Sequence, residues 1–194
     1  MAENGNTYRE YAPPKILYPF IYCYWSYCSN HLVDNQTNTT PVIPDGCVDI
    51  IFDLNLPTQS QCFVVGPMTK PINNEKNNLF GIRFKPGQAS SFFQSPLLEM
   101  TDHIFFINHL GGFEVDNIAD QLAYTFHTGN KFNFIDQILV KILNRNPIIE
   151  PEVQYVIDGV ELSRGKIQMQ KLINDTGWSR QHLTRQFQKR TGLT

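Results

Sequence analysis

The chain lacks any long hydrophobic run. No apolar stretch among its 194 residues approaches the roughly 20 that a membrane-spanning helix requires, so no such helix is expected. The opening MAENGNTYREYAPP has no basic segment followed by an apolar one. No secretory leader is therefore read there, and the expected location is the cytoplasm. Cysteine is scarce. Cys23, Cys28, Cys47 and Cys62 form no CxxC pair, and His31, His103, His109, His127 and His182 are scattered, with no HxxxH spacing. Zinc sites need closer N and S ligands. No metal and no cofactor are expected, and the cysteines read as buried free thiols. No internal repeat is visible. Acidic clustering is limited to Asp45, Asp49 and Asp53, in which Asp45 is explained by a turn and the other two by a solvent-facing or edge position. An enzyme is not expected.

What is present suits one larger unit and a small one. Hydrophobic residues make up 41% of the chain and aromatics 12%, enough for a core. Residues 1–10 are polar and read as loose. The segment Phe20–Tyr27 fits a strand, with Phe20, Tyr22, Tyr24 and Ser26 on one face and Ile21, Cys23, Trp25 and Tyr27 on the other. Pro44-Asp45-Gly46 is a turn: Pro sets one dihedral, Asp bonds locally and Gly takes positive φ. Beyond it Val48, Ile50, Phe52 and Leu54 alternate with Asp49, Ile51 and Asp53. Short strands follow at Cys62–Val65, stopped by Gly66-Pro67, and at Leu79–Lys85, where Phe80, Ile82 and Phe84 oppose Gly81 and Arg83. Strands of this length and spacing point to a small antiparallel sandwich or barrel.

After Gly87 the period becomes helical. Ala89–Gln94 and Pro96–Leu110 read as irregular helix. Two amphipathic helices are expected over Val115–His127, lined by Ile118, Leu122 and Phe126, and over Phe132–Asn144, striped by Phe134, Ile138, Val140, Ile142 and Leu143. Asn146-Pro147 breaks the chain and marks a boundary between a unit of residues 1–146 and one of residues 147–194. Pro151–Leu162 is a further helix, with Pro151 in its first turn and Val153, Val156, Ile157 and Val160 facing inward.

The last stretch, Lys166–Thr194, reads as helix, tight turn, helix. Ile167, Leu172 and Ile173 share one face; Gly177 permits the reversal; Ser179 caps the next helix; Leu183 and Phe187 turn inward. Arg180, Gln181, Thr184, Arg185 and Gln188 are left outside. Two readings fit: a hairpin with a solvated basic face, or a helix shaped for a DNA major groove. Charge favours the second. From Ser163 onward seven basic residues face Asp175 alone, while the rest of the chain holds nine basic against 17 acidic. A basic tail on an acidic body suits a polyanion. Gln181, Thr184 and Arg185 are the candidates for base edges, and Arg180, Lys189 and Arg190 for phosphates.

The run Ile167, Gly177, Ser179, Leu183, Arg185, Phe187 and Gly192 resembles the first helix-turn-helix of AraC-type transcriptional regulators. Ahead of it, Pro44-Asp45-Gly46-Cys47-Val48-Asp49, Val65-Gly66-Pro67 and Gly81-Ile82-Arg83-Phe84-Lys85-Pro86-Gly87 resemble the N-terminal domain of a poorly characterised subgroup of the same family. The resemblance implies an α+β chain: an N-terminal cupin-like antiparallel β-barrel or sandwich with following helices, which senses a small molecule or pairs subunits, then a partial all-α helix-turn-helix domain. The family carries two helix-turn-helix units. This sequence stops at Thr194, where the linking helix would begin, so weak specific DNA binding is expected of it. For a ligand, Arg83 is the candidate anchor and Tyr22, Tyr24 and Trp25 the candidate walls; the alternative is that Arg83 pairs internally with Asp49 or Asp53. A homodimer through Phe134, Ile138 and Ile142 is expected. The runner-up function is a ligand-binding or dimerisation module without DNA binding of its own.

Overall fold

The structure, a computed structural model, describes residues 7–29, 40–55, 62–74, 77–93, 96–125, 131–145 and 150–194. Phe126, His31 and His127 lie outside them. The chain is α+β. Its centre is a six-stranded antiparallel sheet built from β1 (Thr7–Tyr11), β2 (Ile21–Cys28), β4 (Val48–Asp53), β5 (Cys62–Val65), β7 (Asn78–Phe84) and β8 (Ile104–Phe106). Their order across the sheet is β1-β2-β7-β4-β5-β8. Among the described residues β1 and β8 are open edges, so this sheet does not close into a barrel. A ribbon of β3 (Thr40–Val42) and β6 (Ile72–Asn74) forms a second, two-stranded sheet. A third pairing joins β9 (His109–Leu110) and β10 (Phe113–Glu114).

Both faces of the large sheet are buried. One carries Tyr24, Ile50, Phe52, Val64, Phe80, Ile82 and Phe84. It is covered by α1 (Val115–Thr125), through Ile118 and Leu122, and by α2 (Lys131–Arg145), through Ile135, Leu139 and Ile142. The other carries Cys23, Trp25, Ile51, Phe63, Val65 and Leu79, against which Val42 of β3 and Ile72 of β6 pack. Asp49 and Asp53 lie on this second face. Neither is at an edge or in solvent, because β4 runs mid-sheet between β7 and β5. Asp53 is 4% exposed and accepts a bond from the Asn55 amide at 3.1 Å. All four cysteines are free; three are buried and Cys28 is exposed.

Three local expectations are corrected. Thr7–Glu10 is not loose: with Tyr11 it forms β1, paired in register with β2, from Thr7 opposite Cys28 to Tyr11 opposite Tyr24. Pro96–Leu110 is not helical beyond a short 3-10 turn at Leu97–Met100, because Ile104–Phe106 adds to the sheet beside β5. The face assignment of β2 slips by one at its start. Ile21 sits opposite Phe84 and Cys23 opposite Arg83, so Tyr22 is the extra residue of a bulge. Ile21 thus joins Tyr24 in one core while Tyr22 is pushed to 47% exposure.

Gly81 sits opposite Trp25, and a Cβ there would come within 2.0 Å of the indole. The ring lies across the space a side chain would take, covering a glycine in mid-strand. Gly81→Val is expected to lose about 3 kcal/mol or more to overpacking. Chemical denaturation checks this, and an unchanged midpoint would contradict so close an approach.

Among the described residues no helix is long and apolar enough to cross a membrane.

Candidate nucleic-acid interface

Three helices end the chain: α3 (Pro151–Leu162), α4 (Met169–Thr176) and α5 (Arg180–Thr191). Their shared core is Val156 of α3, Leu172 of α4 and Leu183 of α5, with Ile167, Ile173, Trp178 and Phe187 packed around it. Gly177 ends α4 at φ +69°, and a Cβ there would meet nothing within 4 Å. Its need for glycine is therefore backbone conformation and not space. Ser179 then opens α5, its Oγ accepting the His182 amide at 3.2 Å. Trp178 packs at the turn with its ring edge on His182, centroids 4.6 Å apart. Tyr155 of α3 donates a hydrogen bond to Asp175, which also takes Lys171 Nζ at 2.7 Å. The nearby Lys171 and Tyr155 donors hold the Asp175 carboxyl below its usual range. The Tyr155 bond props α4 against α3. The Lys171–Asp175 spacing of four was visible in the sequence; the Tyr155 contact, across two helices, was not.

The outward side of α5 carries Arg180, Gln181, Arg185 and Lys189, all exposed, with Thr184 half-buried. Arg185 Nη2 rests 3.2 Å from His182 Nδ1. Gln181, Thr184 and Arg185 lie together on one side of a single capped helix, with Arg180 and Lys189 exposed at its two margins.

Arg190 does not join them. It is 6% exposed, with Nη1 3.5 Å from Glu150 Oε2, and it lies on the inner side of α5, away from the exposed groups. Leu183, Phe187, Arg190 and Thr191 follow helical spacing along the inner side of α5, a pattern legible in the sequence and masked by the charge of Arg190. This inner side docks on the sheet unit. Thr101 Oγ1 donates to the Gly192 carbonyl at 2.7 Å, and a Cβ on Gly87 would come within 2.6 Å of Ile157 and 3.2 Å of Arg190.

The expected ligand wall does not assemble. Arg83 is already engaged: its Nη2 lies 2.9 Å and its Nε 3.1 Å from Asp49, and its Nη1 3.5 Å from Asp45. Burial pushes the Asp49 carboxyl up to about 6, against the lowering by Arg83. Tyr22 points outward, Tyr24 lies in the helix-covered core and Trp25 in the opposite one. Tyr24 stacks on Phe132 at 5.6 Å and donates to Asp136; burial and that acceptor raise its phenol well above the usual range. The expected dimer strip is also spent within the chain. Ile138 and Ile142 are buried in the core and Phe134 packs against it, since α2 uses that stripe to cover the sheet.

Over residues 9–105 the chain matches the family described as Domain of unknown function (DUF6597). No curated protein and no solved structure matches it.

Proposed function

The chain belongs to the DUF6597 family, whose domain has no assigned function, and from that premise we propose that it is a sequence-specific DNA-binding regulator of AraC type. In this reading α4 and α5 are the helix-turn-helix, and the sheet with its β3–β6 ribbon is a cupin-like sensing or pairing unit. One observation carries it. Gln181, Thr184 and Arg185, flanked by Arg180 and Lys189, share the outer side of a helix that is capped at Ser179 and propped by α3. Arg and Gln on such a helix reach guanine and adenine edges, and the flanking cations take phosphates. Any pairing of two copies falls to a surface other than Phe134, Ile138 and Ile142.

The test is retention of duplex DNA at low ionic strength. Weak, salt-sensitive binding is expected of the chain. It is lost when Arg180, Arg185 and Lys189 are all replaced by glutamate, a change confined to exposed positions. Lys189→Ala alone lowers the slope of log affinity against log salt by about 1. Equal retention by the triple variant and the unaltered chain would reject the reading.

A further inference from the structure

Between the end of the sheet and the last helices lies a cleft of about 460 Å³, in the range of small-molecule sites. Phe20 and Lys85 line it from the sheet unit, and Glu150, Asp158, Glu161 and Arg190 from the helices. Arg190 is the anomaly. A guanidinium carries five N–H donors and stays charged. Here it is 6% exposed; among the described residues its Nε has no partner and its one acceptor, Glu150, stands 3.5 Å from Nη1, the outer limit of a hydrogen bond. Burial pushes its pKa down despite Glu150, as expected of a cation with too little counter-charge. A buried arginine of this kind fits a carboxylate, with which it pairs two-pronged.

The rest of the lining narrows the class. Three acids face two bases, so a free dianion such as phosphate meets an unfavourable field. Glu161 has spare acceptors: among the described residues its carboxylate takes only the Tyr22 hydroxyl, at 3.4 Å. Asp158 is half used, accepting from Gln154, which in turn accepts from Gln88 across the cleft. We propose that this cleft binds a small zwitterion of the amino-acid class, its carboxylate on Arg190 and its ammonium on the Glu161 side. Both walls then close on one molecule, one wall from the sheet unit and the other from the helices that carry α5. Occupancy stiffens the joint between them. The inference concerns binding alone and stands whether or not α5 contacts DNA.

The experiment titrates the whole chain with each free L-amino acid, with acetate and with inorganic phosphate, read by calorimetry and by amide NMR shifts. At least one amino acid is expected to bind saturably, shifting residues around Lys85, Glu161 and Arg190, with acetate and phosphate at least tenfold weaker. Glu161→Gln, at an exposed position, weakens it tenfold or more, and so does Arg190→Gln. Because Arg190 also holds the docked helix, the Glu161 variant is decisive if the Arg190 variant misfolds. No saturable amino-acid binding, equal or tighter binding of phosphate or acetate, or unchanged affinity in Glu161→Gln would each overturn the proposal.

Discussion

Asp49→Leu is expected to destabilise the chain by about 3–5 kcal/mol, the range for removing one partner of a buried ion pair, and by more than Arg83→Leu does. The two side chains bond through two prongs in the second core of the sheet, with Asp49 12% and Arg83 22% exposed. The asymmetry follows from their chemistry. Arginine cannot give up its proton, so without Asp49 a half-buried cation keeps, among the described residues, only the Asp45 carboxylate, at 3.5 Å. A carboxyl already pushed up to about 6 can escape by taking a proton when Arg83 is lost. The penalty of Arg83→Leu should therefore shrink as pH falls. In the unaltered chain the Asp49 carboxyl is raised above its unfolded value of 3.8. The native state then binds more protons than the unfolded one between about pH 4 and 6, so this group's contribution to stability falls as pH rises through that window. Denaturation of the single variants and of Asp49→Leu/Arg83→Leu closes a thermodynamic cycle. The double variant is expected to recover much of the loss. Equal single losses at every pH, together with a carboxyl-carbon titration midpoint at or below 4, would rule this account out.

Gly192→Val is expected to lift the C-terminal helices off the sheet unit while leaving the sheet folded. Gly192 ends α5 at φ +76°, and a Cβ there would come within 2.7 Å of Thr101 Oγ1, 2.8 Å of Pro67 and 2.9 Å of the Leu97 carbonyl. A left-handed backbone costs a branched residue about 1–2 kcal/mol, and overpacking typically adds about 1–3. The sum corresponds to a rise of roughly 30-fold or more in the amide-exchange rates of the docked segment. Hydrogen exchange resolved by residue should show Arg190–Leu193 losing protection while β2, β4 and β7 keep theirs. Unchanged protection at Arg190–Leu193 would mean that this joint does not hold the helices. Simultaneous loss in the strands would mean that the two units do not separate.

Much of the local structure was legible in the residues. Pro151 and Leu162 bound α3 as the pattern indicates, because a helix start set by proline and an inward row of Val and Ile are short-range signals. The alternation of Val48, Ile50 and Phe52, the turn at Gly46 with φ +72°, the reversal at Gly177 and the cap at Ser179 are of the same kind. The candidate site was legible in part. Gln181, Arg185, Arg180 and Lys189 face outward as their positions on α5 imply. Arg190 was assigned by its charge, although its place in the inner row pointed the other way.

Sequence alone, then, determined where β2, β4, β5, β7 and the helices α1 to α5 run and, apart from the start of β2, which residues share a side of each, since those follow from backbone geometry within a few positions. It did not determine β1 or β8, which exist by pairing with distant strands. Tertiary structure decided which sides are covered. It placed a ribbon over the face of the sheet that carries Trp25, Ile51 and Leu79, laid α2 over the other face through Ile138 and Ile142, turned Tyr22 out on a bulge, and set Arg190 against the sheet unit. Such choices depend on partners far along the chain, and no local period encodes what will lie against an apolar or a charged face.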